Sequence, residues 1–431
     1  MKPAVQRLSQ HGQQPSKGFD CILGNPPFLN QLESGTALAR QTAALVGATY
    51  DGARKSYTDA SALFLLLSDR ITRSGGRYSL VQPQSVLAAA DAKAVRDAML
   101  TDGSLAALWV SNEHVFAEAT VYTCAITIEK GGARQRAVQR SHSRAFMPLD
   151  QTEIDSDALI AEETWSHLTA EASGIPSPAM QTEGCIGDLA VVTADFRDQY
   201  YGLDGFLIEH AECSGARAGP DFERRFPPIV TTGAIDLACC KWGASPMRIL
   251  KNKWQAPRVD RTRMEREGTL SLWMTQRLVP KVLVATQTKV IEVFADDAGR
   301  FLPSVPVLSV VPNDPTDTLL LAAALAAPPI SALAMTKYSG AALSADAIKL
   351  SARQAAALPL PADRAAWKHA AAAFSEAQLQ TEGAARLERL SAFGAAACDA
   401  YGVQPAGRAA LLKWWTGRLG LDLSEDGGAD E

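Results

Sequence analysis

The 431-residue sequence predicts an α/β protein in which a partial Rossmann-like sheet is followed by an α+β domain and a helical C-terminal tail. Over residues 1–132, short apolar runs alternate with segments of helical periodicity, which is the order typical of half a doubly wound sheet. From residue 364 onward the chain is rich in Ala, Glu, Arg and Leu, which favour helices. We therefore predict a sheet domain at 1–132, a connector at 133–184, an α+β domain at 185–363 and a tail at 364–431.

The sheet domain is predicted to begin after a polar segment, residues 1–17, with a buried strand over the apolar run Phe19 to Leu23. Apolar residues then recur at helical spacing from Ser61 to Thr72, and Gly75-Gly76 is predicted to end that helix. The remaining predicted elements are a strand at 78–82, a helix at 89–99 and strands at 105–110 and 121–129.

The rest of the chain has weaker patterns. The connector is predicted to contain at least one helix, around residues 157–171. Runs typical of strands occur in the α+β domain at 189–192, 282–284, 290–293 and 307–311, with a helix at 318–326. Helices at 365–400 and 406–419 are predicted in the tail, where they would form a packing or spacer bundle.

Composition limits the classes of protein that the chain can belong to. A hydrophobic fraction of 47% favours packed cores, and a net charge of −5 means that any contact with nucleic acid must be regional. The seven cysteines include no C-x-x-C pair, so we predict buried thiols and no zinc or other metal site. Without a signal sequence or an unbroken apolar span, the protein is expected to be cytoplasmic, with no membrane partner.

The tetrapeptide Asn25-Pro26-Pro27-Phe28, placed directly after the first predicted strand, is the motif that points to chemistry. The N6 amine of adenine is a poor nucleophile because its lone pair is delocalised into the ring, so two acceptors must rehybridise it. The Asn25 side-chain oxygen and the Pro26 carbonyl can each accept one N6 hydrogen, and the prolines hold both acceptors still. Phe28 offers a face for an extruded base. Taken alone, the four residues also fit a proline-rich loop after a strand.

The surrounding sequence resembles adenine-N6 DNA methyltransferases of the TaqI-like and type IIG restriction-modification kind. Phe19 to Phe28 resembles motif IV of the amino-methyltransferases. Further segments resemble the elements that lie downstream of motif IV in the TaqI type, namely Thr58 to Phe64, Arg73 to Arg77, Leu80 to Leu87, and His114-Val115-Phe116.

The resemblance implies roles for individual residues. Asn25 and Pro26 would bind N6, Phe28 would stack on the base, Pro27 would belong to the same base-binding turn, and Phe116 would pack near the base's other face. Phe116 is equally consistent with a core position. Asp20 is expected to form hydrogen bonds at the strand end, and the long polar segment 29–57 is expected to be mobile.

A methyl donor needs a glycine-rich turn after a first strand and an acidic residue at the end of the next. In the family these precede motif IV, and only 24 residues precede Asn25 here. We therefore expect the S-adenosylmethionine site to be largely absent, and our leading hypothesis is a split enzyme whose second polypeptide supplies the donor-binding half. A degenerate or truncated protein is the alternative.

Residues 185–363 resemble the target-recognition domain of one-chain restriction-modification methylases. The matching pieces are Ile186 to Leu189, Tyr201 to Leu207, Phe226 to Val230, Pro280 to Val284 and Leu358 to Pro361. Between 241 and 263 the chain carries seven basic residues against the single acid Asp260, and DNA phosphates are their natural partners. The predicted DNA-binding residues are Lys241, Arg248, Lys251, Lys253, Arg258, Arg261 and Arg263. Trp242 and Trp254 are expected in the core.

Two other functions remain open on the sequence. The Asn-Pro-Pro-aromatic turn can also grip a side-chain amide or another exocyclic amine, as in protein-glutamine or RNA methyltransferases. A non-catalytic DNA-binding subunit with a degenerate methylase fold would explain the absence of a donor motif. The preferred interpretation is a DNA methyltransferase of a restriction-modification or phage-defence system that acts on double-stranded DNA.

Overall fold

The structure is a computed structural model, and it describes residues 18–28, 59–111, 113–116, 121–149, 151–170, 172–195, 197–213, 221–338, 347–379 and 383–420. The chain divides into two compact units. The first comprises residues 1–175 and 336–346, and the second comprises residues 176–335 and 347–431. The segment 29–57, for which the sequence predicts mobility, lies outside the described residues.

The first unit is an α/β unit built around one sheet. Its strands are β1 (Phe19–Gly24), β2 (Thr72–Pro83), β3 (Gly103–Val110), β4 (Thr123–Lys130), β5 (Gln135–His142), β6 (Met147–Pro148) and β7 (Thr152–Asp155). Its helices are α1 (Ala60–Ile71), α2 (Ser85–Ala88), α3 (Lys93–Thr101) and α4 (Ser156–Ala161), with short 3₁₀ turns at Ala90–Ala92 and Ser166–Thr169.

The sheet is mixed, with strand order β1-β2-β4-β3-β5-β6, and β7 also pairs with β5. Strand β1 is parallel to β2, β4 is antiparallel to both β2 and β3, and β3 is parallel to β5. The carboxyl ends of β1, β2, β3 and β5 therefore meet at one edge of the sheet. The predicted partial Rossmann-like sheet is confirmed, and this edge is where doubly wound sheets place their ligands.

Two local predictions for the first unit are wrong. Strand β1 is not buried, because it lies at the edge of the sheet and leaves Phe19 and Leu23 42% and 78% exposed. The Gly75-Gly76 pair does not end α1, which stops at Ile71, but lies within β2 where the pairing with β1 is irregular. A Cβ on Gly76 would lie 2.8 Å from the Phe19 carbonyl oxygen, so glycine permits the close approach of the two strands.

The segment predicted as a connector contributes strands to the sheet. Strands β5, β6 and β7 occupy residues 135–155, and the boundary between the compact units falls at Ile175. The predicted helix at 157–171 is replaced by the short α4 and a 3₁₀ turn. The core packs one side of α1 and α3 against the sheet through buried residues such as Leu65, Met99 and Ile126. The sequence did not indicate these strands, because polar residues interrupt the apolar pattern of the segment.

The second unit is an α+β unit with many short strands. The strands are β8 (Thr182–Cys185), β9 (Ala190–Ala194), β10 (Leu207–Glu209), β11 (Ile229–Val230), β12 (Ile235–Asp236), β13 (Cys239–Cys240), β14 (Met247–Ile249), β15 (Asn252–Trp254), β16 (Pro257–Val259), β17 (Lys281–Val284), β18 (Val293–Asp296), β19 (Leu302–Pro303), β20 (Leu308–Pro312) and β21 (Pro359–Pro361). The helices are α5 (Ile186–Leu189), α6 (Arg197–Tyr201), α7 (Phe222–Arg225), α8 (Arg261–Glu267), α9 (Ser271–Arg277), α10 (Thr318–Ala326), α11 (Pro328–Tyr338), α12 (Ala352–Ala356), α13 (Arg364–Leu379), α14 (Gly383–Ala400) and α15 (Pro405–Arg418). The residues of α11 from 336 onward belong to the first unit.

The largest sheet of the second unit is antiparallel, in the order β18-β17-β20-β9, and several two-stranded pairs surround it. One of these pairs is the hairpin β14–β15. A core that includes Ile229, Met274 and Leu283 packs beneath the hairpin. Trp242 and Trp254, which were predicted inside the core, are half-buried against it. The tail forms the helices α13, α14 and α15, which confirms the predicted helical C-terminal region.

All seven cysteines are free thiols, but not all are buried: Cys21 on the edge strand is exposed, against the prediction. No single helix among the described residues has the length and apolar composition to cross a membrane, although the bent pair Pro315–Ala326 and Pro328–Tyr338 meets both criteria together.

Candidate active site and candidate nucleic-acid interface

The predicted Asn25-Pro26-Pro27-Phe28 turn begins where β1 ends, at the carboxyl edge of the first unit's sheet. Gly24 pairs with Leu80 of β2, and a Cβ on Gly24 would lie 2.7 Å from the end of the Leu80 side chain, which would have to shift to admit it. Asn25 and Pro27 are exposed, Pro26 is buried and Phe28 is half-buried. The Asn25 amide has no hydrogen bond to the described part of the chain, so its oxygen is available to a ligand.

The structure brings Phe28 and Phe116 together although 88 positions separate them in the sequence. Their ring centroids are 6.2 Å apart and the ring planes make an angle of 77°, an edge-to-face contact. Two aromatic rings can hold a base between them only if their planes are roughly parallel and lie two stacking distances apart. The rings contact each other directly, so Phe116 must move before a base can lie between them.

The segment that carries Phe116 is held by a residue that the sequence did not single out. Arg144 lies in the turn between β5 and β6, and its Nη2 donates to the carbonyl oxygens of His114 and Val115 at 2.9 and 3.3 Å. Its Nε also lies 3.5 Å from a carboxylate oxygen of Glu113. These contacts link the β5–β6 turn to the residue that packs against Phe28. The sequence does not indicate this role, because Arg144 belongs to no motif and lies in a segment with weak periodicity.

Two further contacts hold the strand ends, one at this edge of the sheet and one at the opposite edge. The Gln84 Nε2 donates to the carbonyl oxygens of Ser111 and Thr123 at 2.6 and 3.3 Å, which ties the ends of β2, β3 and β4 together. Asp20 accepts a 2.5 Å hydrogen bond from Arg73 Nε at the other end of β1. Its role as a strand-end hydrogen-bonder thus agrees with the prediction.

The seven basic residues predicted to bind DNA separate into three groups in the second unit. Three are paired with carboxylates: Lys241 with Asp236 at 2.5 Å, Arg261 with Glu265 at 2.8 Å and Arg263 with Glu267 at 3.0 Å. One, Arg258, is buried. The remaining three, Arg248, Lys251 and Lys253, are exposed on the hairpin β14–β15 and have no ion-pair partner among the described residues.

Arg258 does not fit the predicted role as a phosphate contact, because its side chain is only 2% exposed. Its Nη2 and Nη1 donate to the two carboxylate oxygens of Glu223 at 2.9 and 3.2 Å, and its Nε donates to His210 Nδ1 at 2.9 Å. The rings of Phe222 and Trp242 lie 4.7 and 4.8 Å from its guanidinium carbon. Arg258 is therefore an internal anchor that fastens α7 to β16.

The hairpin presents its cations through a tight two-residue turn. Leu250 and Lys251 both have positive φ, at 52° and 68°, which is the conformation of a type I′ turn. Arg248 pairs across the strands with Lys253, so both side chains leave the same face of the hairpin. On the opposite face Met247 and Ile249 are buried. Alternation therefore places the apolar residues in the core and the cations in solvent.

A cleft of about 430 Å³ lies beside the hairpin, within the second unit. Its walls include Tyr200, Thr231, Met247, Arg248 and Pro306. The Tyr200 hydroxyl accepts a 2.9 Å hydrogen bond from the Leu250 backbone N–H, so it braces the hairpin turn. Sequence reasoning identified Arg248 alone of this group, since the other four lack any charge or motif that would mark them.

One carboxylate near the basic segment is perturbed. Burial and, to a smaller extent, the neighbouring Asp236 raise the pKa of Glu292 to about 7, although Lys241 and Arg386 oppose the shift. Lys241 thus belongs to an internal charge cluster of the second unit. This agrees with its ion pair to Asp236 and means that it is not a free cation.

Comparison with known proteins agrees with the geometry of the first unit. Residues 4–116 match the Eco57I restriction-modification methylase family, and this range contains the turn at Asn25 and ends at Phe116. No curated protein sequence matches the chain.

Solved structures extend the comparison to the second unit. The type IIL restriction-modification enzyme MmeI, solved in complex with DNA, has 14% identity and a TM-score of 0.52 over 93% of this chain and 57% of that one. The type IIG restriction endonuclease BpuSI has 12% identity and a TM-score of 0.36 over 93% and 54%. This chain therefore spans little more than half the length of these proteins. The likeness to MmeI shows a shared fold across both units.

Proposed function

We propose that the chain is the target-binding part of a cytoplasmic, site-specific adenine-N6 DNA methyltransferase from a restriction-modification or phage-defence system. The observation that carries the proposal is the exposed Asn25 amide, which forms no hydrogen bond with the described residues. It lies at the carboxyl edge of a methylase-like sheet, in the same turn as Phe28. The match of residues 4–116 to a restriction-modification methylase family supports the reaction class.

In the proposed reaction the chain acts on the acceptor side. The Asn25 side-chain oxygen and the Pro26 carbonyl accept the two N6 hydrogens, which localises the nitrogen lone pair for attack on a methyl group. Phe28 stacks on the extruded adenine and offsets part of the cost of unpairing it, a few kcal/mol. Phe116 rotates away from its edge-to-face contact with Phe28 to admit the base.

The described residues do not fit a site for the donor, S-adenosylmethionine. Strand β1 is followed by Asn25-Pro26-Pro27-Phe28 and β2 by Gln84, and neither turn has the glycines that let a backbone approach a nucleotide. We therefore assign the donor to another part of the enzyme and derive no step through it.

We propose that a separate polypeptide supplies the donor-binding half by pairing with β1. Strand β1 is an edge strand whose outer side has no partner among the described residues, and Phe19 and Leu23 on it are exposed. A parallel strand added there would bring its own carboxyl end next to Asn25, in the crevice where doubly wound sheets bind ligands.

The test is to co-express the chain with its neighbouring reading frames in a methylation-deficient bacterial host and to map N6-methyladenine by long-read sequencing. Wild type should methylate one sequence motif, and Asn25→Ala should lower methylation by about 100-fold or more because one acceptor is lost. Asn313→Ala, an exposed asparagine of the second unit, is the matched control and should methylate as wild type.

Equal methylation by the Asn25→Ala variant and wild type would overturn the proposed chemistry. The split arrangement is tested separately by calorimetric titration of S-adenosylmethionine into the purified chain. Tight one-site binding without a partner would contradict it.

The second candidate is a DNA-recognition subunit with a degenerate methylase fold. The free cations of the hairpin β14–β15 favour it, because they serve DNA binding whether or not the donor half exists. Duplex binding without methylation in any co-expression would select this function. Methylation of protein glutamine or of RNA in the same host would instead select the remaining alternatives.

A further inference from the structure

The cleft beside the hairpin β14–β15 has the features of a site for an anion. Arg248 lines it, and this guanidinium has no ion-pair partner among the described residues. None of the residues that line the cleft is acidic. An arginine presents a planar fork of N–H donors that matches two oxygens of a phosphate group. The cleft therefore offers a strong donor to a phosphate without a competing carboxylate.

A second donor lines the same cleft. Thr231 is only 9% exposed as a residue, and its hydroxyl has no hydrogen-bond partner in the described part of the chain. That hydroxyl is open to solvent in the cleft, so it can donate to an oxygen ligand there. This neutral donor is independent of the exposed arginine, and both suit the same ligand chemistry.

The remaining wall is uncharged and includes apolar surfaces. Pro306 and the ring of Tyr200 line it, and the Tyr200 hydroxyl is already engaged by the Leu250 backbone N–H. A deoxyribose has an apolar face that such a wall accommodates. The volume of about 430 Å³ exceeds what a phosphate alone needs and leaves room for the attached sugar.

We propose that this cleft binds one phosphodiester of the DNA backbone, with Arg248 and Thr231 donating to its oxygens and the adjoining sugar against Tyr200 and Pro306. The inference rests on the proposed function, because it takes DNA as the ligand. It adds an anchor in an open cleft that fixes the position of the backbone, whereas Lys251 and Lys253 attract the backbone from solvent.

The test separates the hydroxyl from the charge. The full chain is titrated into a short fluorescein-labelled duplex of arbitrary sequence over a series of KCl concentrations, and Kd is read from anisotropy. Thr231→Val should weaken binding about 5-fold at every salt concentration without changing the salt slope, because it removes one hydrogen bond and no charge. Arg248→Ala should weaken binding and also reduce the slope by about one.

Two matched variants control for general effects. Thr193→Val alters a half-buried threonine of β9, and Arg353→Ala removes an exposed arginine of α12; both should bind as wild type. Arg248→Lys should keep the wild-type slope but bind several-fold more weakly, because an ammonium cannot reproduce the fork.

A Thr231→Val variant that binds as wild type would overturn the cleft assignment, even if Arg248→Ala weakens binding. Equal losses in Thr231→Val and Thr193→Val would overturn it too. If wild type binds no duplex at any salt concentration, both the cleft and the DNA-binding role of the second unit fail. If these variants behave as expected while Asn25→Ala leaves methylation unchanged, the proposed chemistry fails and the cleft stands.

Discussion

The Asn25 turn and the segment 241–263 both present polar groups to solvent, but they do so by different means. In the turn, neutral acceptors are adjacent in sequence and two prolines restrict the backbone that carries them. In the basic segment, similar cations have three different fates, and only those on the hairpin β14–β15 are unpaired among the described residues. A run of basic residues therefore indicates an interface only for those cations that form no ion pair within the protein. A turn whose acceptors are fixed by its own prolines can be interpreted without that step.

The largest expected effect comes from Arg258, and it tests whether this residue is an internal ion-pair partner and not a DNA contact. Arg258→Ala should lower the free energy of unfolding by about 3 kcal/mol, because it removes a buried guanidinium with several hydrogen bonds and leaves Glu223 with only its longer ion pair to Arg300. Urea denaturation followed by tryptophan fluorescence measures this loss. Arg248→Ala, which removes the same charge from an exposed position, should change stability by less than about 0.5 kcal/mol. If the two variants are equally stable, Arg258 is not an internal anchor, and it again becomes a candidate DNA contact.

The next largest effect is expected on DNA binding, when the unpaired cations of the hairpin β14–β15 are removed. Replacing Arg248, Lys251 and Lys253 together by Ala should weaken duplex binding by at least about tenfold and lower the slope of log Kd against log salt by between about two and three. The control removes the paired cations Lys241, Arg261 and Arg263, with the same change in formal charge. A comparable fall in slope for both triple variants would mean that net charge, not the hairpin, controls binding.

Arg144 extends the comparison to the first unit, where a positioning residue acts through backbone contacts. In the co-expressed enzyme Arg144→Ala should raise KM for DNA by about tenfold and change kcat by less than about twofold, because the variant loosens the segment that carries Phe116 but touches no acceptor atom. Hydrogen exchange at residues 114–116 should accelerate. Arg77→Ala, which breaks an exposed ion pair with Glu129, is the control. A fall in kcat alone, with unchanged exchange, would contradict the positioning role.

Local sequence was sufficient to predict β1, the turn after it and the roles that the turn can play. It was not sufficient for the burial of β1, because an apolar run is the same whether the strand is central or lies at an edge. Arg258 was misassigned for a related reason. Its burial depends on Phe222, Glu223 and Trp242, which only the fold brings around it.

Arg144, Tyr200 and Thr231 were missed because none of them belongs to a motif. Arg144 acquires its contacts through the pairing of β5 with β3 and β6, and short polar strands of this kind carry little periodic signal. Thr231 is notable only because it lines the same cleft as Arg248, a property that has no counterpart in sequence.

Glu292 offers the smallest effect, and it tests whether Lys241 belongs to an internal cluster. The pKa of Glu292 is raised to about 7 in the folded state, so the native protein retains a proton that the unfolded chain releases near its ordinary value of 4.5. The stability contributed by Glu292 is thus present at low pH and is lost as pH rises through 7. Glu292→Gln should therefore raise Tm by about 3 °C at pH 8 and leave it unchanged at about pH 4, where the carboxyl is protonated in both states. Exposed Glu388→Gln should show no such pH dependence. The salt slope of DNA binding should not change, and a change would place the cluster at the interface.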